Sequence, residues 1–413
     1  MRWLRKIRFS RHQRRLLKAL TIDERMPGPM LHDFGAFLSF LREQDVRATG
    51  ALQLPLRTLP EINARLARPL HLDLKRPVQK SYPHINGLYL LLRASGLVRI
   101  GGSAKKPLIV VDEEIRQRWQ TLNPTERYLT LFETWLLRAP TEIINERETG
   151  GHFLPHTFER WGLFFLELPD QGLTVGDDEE AARSLRYWPG LHHLALMELF
   201  GLVAIQHGTP EPGKGWRIER VEPTPLGEAM LALLVSEFFS DHNKVQELKT
   251  AGRVPFGVLQ PLLQPYFPTW GNNLSIPDWT FRPGTHIFKV AIAWLWRRIA
   301  IPGGQPLDAL ARAIVDSVDF THDHLYDFRY QNRFGVVETI RHPFLGERPR
   351  TDEVLVGEVP LPVGQTMRFT YDFGDWWEFD LLLEAVDPDV SIDEATLLES
   401  HGVSPEQYRW HGV

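Results

Sequence analysis

Phe369-Thr370-Tyr371-Asp372-Phe373-Gly374-Asp375-Trp376-Trp377-Glu378-Phe379 is the stretch from which the fold can be read. It holds six aromatic rings, three carboxylates and one glycine in eleven residues. Each ring left in a solvated loop would forfeit roughly 2–3 kcal/mol of burial, so the stretch belongs against a core. Phe369 and Tyr371 share one parity, and past Gly374 so do Trp377 and Phe379. Such alternation predicts a strand, a bend at Gly374 and a second strand. Asp372 and Asp375 flank the bend, where the ordinary task of an aspartate is to accept hydrogen bonds from nearby backbone N–H groups.

The neighbouring sequence extends this unit. His286 to Ile292 alternates as a strand does, and Trp296-Arg297-Arg298-Ile299-Ala300-Ile301 continues the pattern. Leu307, Leu310, Ile314 and Val318 fall on one face of a helix. His322 through Tyr330 reads as a further strand, and Leu381-Leu382-Leu383 closes an α+β unit with a mostly antiparallel sheet.

Upstream the periodicity is helical. Residues 1–20 carry Arg2, Arg5, Lys6, Arg8, Arg11, Arg14, Arg15 and Lys18 with no acid, interleaved with Trp3, Leu4, Ile7, Leu16 and Leu17. This is a short basic amphipathic helix, suited to phosphates or anionic lipid, or simply a solvated terminus. A helix from His84 to Ser95 ends at Gly96, and Leu97-Val98-Arg99-Ile100, a glycine turn with Lys105 and Lys106, and Leu108-Ile109-Val110-Val111 follow. Helix, strand, basic turn and strand is the order of a winged helix-turn-helix. Tyr187 to Val221 repeats it: aromatic, proline, helix, Gly201-Leu202-Val203, a turn with Lys214, and a returning strand. Repetition makes the unit more credible than either copy alone. Two winged helices, or two halves of one helical domain, satisfy the pattern.

At 413 residues the chain exceeds a single core. A net charge of −5 gives no overall nucleic-acid footprint, so a basic surface has to be local. With no cysteine, disulfides, thiolate nucleophiles and cysteine-ligated zinc are excluded. No apolar run approaches the ~20 residues of a membrane span. The expected divisions are a basic arm (1–25), a winged-helix-like domain (26–125), a helical connector (126–180), a second winged-helix-like unit (181–243), a Pro/Gly/Trp-rich linker (244–282) and the α+β domain (283–413).

Five patterns invite a chemical reading. Gly208 to Lys214 spells G-x-x-x-x-G-K, but Gly215 stands where a hydroxyl would bind magnesium and a strand follows, so it is a wing. Asp372-Phe373-Gly374 spells a kinase triplet without the catalytic or glycine-rich loops that would accompany it. His322 and His324, two apart on a presumed strand, share a face and with Asp372 and Asp375 could ligate a metal. Asp323 and Asp327 lie beside them, and a polar network pinning strand to turn is the preferred reading of the group. In the helix from His84, the polar positions His84, Asn86, Arg93 and Ser95 are candidates to face a major groove, with Lys105 and Lys106 on the wing. The double arginine, Arg297-Arg298, fits either an acid partner from the opening stretch or a phosphate.

Trp296-Arg297-Arg298, Asp323-His324-Leu325-Tyr326-Asp327-Phe328 and Tyr371-Asp372-Phe373-Gly374-Asp375, followed by Trp377, resemble the plasmid Ri ORF-three-like family in motif content and order, over about residues 283–395. The resemblance implies an α+β domain of a kind carried on plasmids and transposons, and brings no assigned reaction. Departures from the family pattern are Ala311 after Leu310, Trp376 in place of an acid, Phe379 in place of a histidine, and the absent cysteine- and proline-rich terminal signature. If that pattern encodes a metal or acid–base site, several ligands are missing here.

The resulting expectation is a multidomain α+β protein with a helical, winged-helix-like N-terminal region and a C-terminal sheet domain. It is a cytoplasmic, non-enzymatic protein of mobile-element type that binds duplex DNA or proteins of the same element, without metal or cofactor. Arg5, Lys6, Arg8, Arg11, His84, Asn86, Arg93, Lys105 and Lys106 make the nucleic-acid contacts. The alternatives are a metal-assisted hydrolase using His322, His324, Asp372 and Asp375, and a protein-interaction scaffold.

Overall fold

In the computed structural model, Thr366–Tyr371 and Trp377–Asp387 pair antiparallel, with Phe369 opposite Phe379 and Tyr371 opposite Trp377. Phe369, Tyr371 and Phe379 are buried, as period-2 alternation requires. The structure describes residues 8–103, 106–146, 156–239 and 254–408. The chain divides into two units, residues 1–99 with 109–276, and residues 100–108 with 277–413.

The first unit is mainly helical. Its helices are α1 (Arg11–Ala19), α2 (Met30–Glu43), α3 (Leu59–Arg65), α4 (Pro83–Ala94), α5 (Glu113–Thr121), α6 (Pro124–Leu137), α7 (His156–Glu167), α8 (Glu179–Tyr187), α9 (Leu191–Leu199), α10 (Pro225–Glu237) and α11 (Gln260–Leu263). Short strands β1 (Val46–Arg47), β2 (Val98–Ser103) and β3 (Lys106–Val111) form one sheet, ordered β1-β3-β2. Strands β4 (Leu173–Thr174), β5 (Val203–His207) and β6 (Ile218–Pro223) form another, ordered β4-β6-β5. The two sequence copies correspond: α4 and α9 each run into a glycine of positive φ, Gly96 at 81° and Gly201 at 71°, and then into a hairpin. α4 and α9 pack on each other. Gly87 permits the approach, since a Cβ there would stand 2.7 Å from Leu196 Cγ and 3.2 Å from the His192 carbonyl.

The expected linker is partly built into this unit. Two buried carboxylates of α6 hold it, because backbone N–H groups outside regular structure need acceptors. Glu133 accepts from the N–H groups of Gly257 (2.6 Å) and Leu259 (2.7 Å), and Glu126 from that of Asn272 (2.6 Å). Burial pushes Glu133 up to about 6 against those same hydrogen bonds. Trp270 is fully buried and donates to Asn273. Residues 254–276 are therefore part of the helical body, a correction to the linker expected over 244–282; residues 244–253 lie outside the described residues.

The second unit is a seven-stranded antiparallel sheet of β7 (Thr285–Ile292), β8 (Leu295–Pro302), β9 (Tyr326–Gln331), β10 (Val337–Arg341), β11 (Thr366–Tyr371), β12 (Trp377–Asp387) and β13 (Thr396–His401), ordered β10-β9-β11-β12-β7-β8-β13. Helix α12 (Leu307–Ser317) buries Leu307, Leu310, Ala311, Ile314 and Val315 in the same core as Phe328, Phe369 and Leu381. Ala311, where the family pattern has histidine, is a core residue at 1% exposure, so an imidazole there would have to displace packed side chains.

Candidate functional site

The C-terminal constellation does not assemble as four metal ligands. Residues 321–325 are bends and irregular chain ahead of β9, so the same-face rule for strands does not govern His322 and His324. His322 Nε2 turns to Asp316 at 2.7 Å. His324 lies 3.4 Å from Asp372 through Nδ1 and 3.3 Å from the Tyr408 hydroxyl through Nε2. Asp372, at φ 55°, accepts from the N–H groups of Gly374 (2.9 Å) and Asp375 (3.4 Å) and so closes the hairpin turn. Asp375 is exposed. The hydroxyl of Tyr371 donates to the Thr321 carbonyl.

The remaining family-motif residues build the sheet. Arg297 is buried and donates to the carbonyls of Ser317 (2.7 Å) and His401 (2.9 Å) and to Ser404, which ties the strand to the helix end and to the chain terminus. Arg298 pairs with Glu384 (2.7 Å) and Glu399 (2.6 Å), acids outside the opening stretch, and lies over the Trp296 ring. Phe328 is fully buried, 4.8 Å from the Phe369 ring. Phe373 packs on Trp376, and Trp377 on Phe320.

The proposed reading helix is corrected in exposure. His84, Asn86, Arg93 and Ser95 are all buried, at 4%, 2%, 1% and 0% exposure, so none presents itself to a groove. Asn86 accepts from the Gln79 amide at 2.8 Å, and Arg93 donates to the Tyr89 hydroxyl at 3.1 Å. The reason is the second sequence copy: α9 packs on α4. Arg8, Arg11 and Lys106 are exposed, while Arg5, Lys6 and Lys105 lie outside the described residues. In α1 the amphipathic reading takes physical form, with Leu17 buried and the helix packed on α10.

The helical unit carries two polar sites that share one indole. The first is a cleft of about 380 Å³ whose lining includes Lys80, Arg183, Arg186, Lys214 and Arg217. Its wall is α8, where the acidic run at 177–180 starts the helix: the Asp178 carboxylate accepts from the N–H groups of Glu180 and Ala181. Leu185 is buried, which leaves Arg183 and Arg186 facing out. The opposite wall is the Gly213-Lys214-Gly215 turn, held by a bond from the Gly213 N–H to the Asp73 carbonyl at 2.7 Å. Glu179 is the one acid in the lining and pairs with Lys214 at 2.8 Å. Arg217 pairs with Asp177 (3.0 Å) and Glu211 (2.7 Å), and Lys80 lies 3.9 Å from Glu146. Among the described residues Arg183 and Arg186 make no ion pair.

The second site lies beyond Trp216, which lines the cleft and packs its ring 4.9 Å from that of His84 and 5.4 Å from that of His207. Glu198, in the last turn of α9, receives both imidazoles: His84 Nε2 at 2.7 Å and His207 Nε2 at 3.0 Å. Burial would raise the Glu198 carboxyl, but the two histidine contacts overcome it and hold the group at about 2. His84 and Glu198 also line a cavity of about 190 Å³ with Asp33 and Arg68. Among the described residues His84, Glu198 and His207 are the one group of three side chains able to ligate a metal whose donor atoms lie within 4.8 Å of one another. From the sequence His84 is expected at a major groove, and Glu198, His207, Arg183 and Arg186 are not among the expected site residues. A lone acid inside the apolar run Leu194 to Phe200 was the available signal.

Three comparisons relate the chain to known proteins. Residues 289–407 match the family model of plasmid pRiA4b ORF-3-like proteins. The uncharacterized protein y4hQ of Sinorhizobium fredii is 28% identical over 112 residues, 27% of this chain and 57% of that protein, so the match spans little more than half of the curated relative. A crystal structure of a protein of unknown function from Methanosarcina mazei Go1 is 20% identical, covering 30% of this chain and 72% of that one, with a TM-score of 0.27. No helix among the described residues is long and apolar enough to cross a membrane. Over residues 289–407, then, this chain is similar to the plasmid pRiA4b ORF-3-like family.

Proposed function

We propose that the protein binds nucleic acid through its phosphate backbone, by way of the cationic cleft of the helical unit. The observation that carries this reading is the lining of that cleft, five basic side chains against one acid, in a chain whose net charge is −5. A local basic surface on an acidic protein is what selective attraction of a polyanion needs. Tyr187, 74% exposed, stands one turn from Arg183 on the same helix face. An exposed ring beside guanidinium groups suits stacking on an unpaired base. Arg8, Arg11 and Lys106 are further backbone contacts, and base reading by α4 is not part of the proposal. The family region serves as a recognition or dimerisation module in a regulatory protein of mobile-element type. A metal-assisted hydrolase built on His322, His324, Asp372 and Asp375 is disfavoured, because His322, His324 and Asp372 are spent on Asp316, Tyr408 and the hairpin turn, and Asp375 is exposed.

Fluorescence anisotropy with labelled single-stranded and duplex oligonucleotides at low salt tests the proposal. Binding that weakens in the triple variant Arg183→Gln, Arg186→Gln, Lys214→Gln supports it. Absence of binding by the wild-type chain, or equal binding by the triple variant, refutes it.

A further inference from the structure

We propose that His84, Glu198 and His207 form a binding site for one divalent transition-metal ion, with zinc the ion their chemistry suits best. Two imidazole nitrogens and a carboxylate are the donor set of a mononuclear zinc site that keeps a position open. Both histidines present the same ring atom, Nε2, to the same carboxylate, at 2.7 Å and 3.0 Å. In a tetrahedral site with bonds of roughly 2.0–2.2 Å, donor atoms stand roughly 3.3–3.5 Å apart. The two histidine–carboxylate edges therefore have to open by less than about 1 Å to admit an ion, while all three donor atoms already lie within 4.8 Å of one another, and side-chain rotation supplies the adjustment.

The three residues come from separate elements of both sequence copies: the first turn of α4, the last turn of α9 and the end of β5. Chain segments so far apart converge on a common point only if the tertiary structure holds them there. The surroundings suit a bound ion in two respects. Trp216 packs edge-on against both imidazoles, which shields one side of the donors from bulk water. The cavity lined by His84 and Glu198 gives a fourth ligand, water or an anionic group, a place beside the ion. One group opposes a cation: the Arg68 guanidinium, 3.6 Å from Glu198. Its side chain is 71% exposed, so it can turn into solvent when the carboxylate is taken by metal.

The competing reading is a metal-free network in which the carboxylate simply accepts two N–H donors. The two differ in what the folded chain takes up. The full-length protein, stripped with a chelator and dialysed, is titrated with Co²⁺ and followed by visible absorption, with zinc content measured in parallel. The proposal expects one Co²⁺ per chain, an intense tetrahedral d–d band, and displacement by equimolar Zn²⁺. His207→Ala, the least buried of the three ligands, should abolish the band while leaving the circular dichroism spectrum unchanged; His324→Ala should leave the band intact. Failure of the wild-type chain to bind Co²⁺ stoichiometrically overturns the proposal whatever the variants do. So does a band that survives His207→Ala, or one lost in His324→Ala and kept in His207→Ala.

Discussion

Replacing Arg183 and Arg186 together by glutamine should flatten the salt dependence of oligonucleotide binding. The magnitude follows from which cations of the cleft are free. Arg183 and Arg186 make no ion pair among the described residues, whereas Lys214, Arg217 and Lys80 each have a carboxylate within 4 Å. The carboxylates of these pairs are 31% to 100% exposed, and such pairs are worth only about 0–1 kcal/mol, so a phosphate can replace the carboxylate. The cleft then offers between two and five phosphate contacts. At about −0.9 per contact on duplex, the slope of log K against log salt lies between roughly −1.8 and −4.5. Between 50 and 200 mM salt that is a loss of about tenfold to about five hundredfold in affinity. The double variant removes two contacts, so its slope should be shallower by about 1.8. The assay is anisotropy at four or five salt concentrations with one oligonucleotide. A wild-type slope near zero would refute backbone recognition outright. A wild-type slope in the stated range with an unchanged slope in the double variant would place the contacts elsewhere on the molecule.

Further measurements probe the two units. His286 is fully buried, and burial, with the nearby Arg282, pushes its imidazole down to about 4. The folded chain thus holds His286 neutral where the unfolded chain protonates it. Stability is complete above the ordinary value of 6.5 and falls by roughly 3 kcal/mol as pH drops from there through 4. Urea unfolding at pH 7 and pH 4.5 should show that fall, and His286→Leu should shrink it. Gly87→Ala reverses the usual helix rule: in place of a gain of about 0.5–1 kcal/mol, overpacking on Leu196 and the His192 carbonyl should cost about 1–3 kcal/mol, read by thermal unfolding. Asp372→Asn should keep the hairpin, because asparagine tolerates positive φ and can still accept from the Gly374 N–H. Asp372→Ala loses both and should destabilise by roughly 1–2 kcal/mol in the same assay.

The C-terminal hairpin was legible because alternation is a local property: residues that share a face in a strand share parity in the sequence. Phe369 opposite Phe379 follows from that alone once the bend is placed. The assignment of His322 and His324 failed for the same reason. Parity has meaning only inside a strand, and β9 begins at Tyr326. The helical unit shows a different limit. Polar residues in α4 looked like an exposed face, because a sequence shows that a side chain is polar and not that a partner covers it. His84 finds Glu198 at a separation of 114 residues. Yet one half of that pair could have been suspected. Glu198 sits in Leu194-Ala195-Leu196-Met197-Glu198-Leu199-Phe200, where a single carboxylate interrupts apolar residues on every side of the helix. A helix hydrophobic all round is buried, and a buried carboxylate is costly unless a charge or several donors meet it. The sequence therefore demanded a cation or a set of hydrogen-bond donors for Glu198. It could not say which, because 16 histidines and 47 basic side chains compete for the role and only the packing of one copy's helix against the other's decides among them.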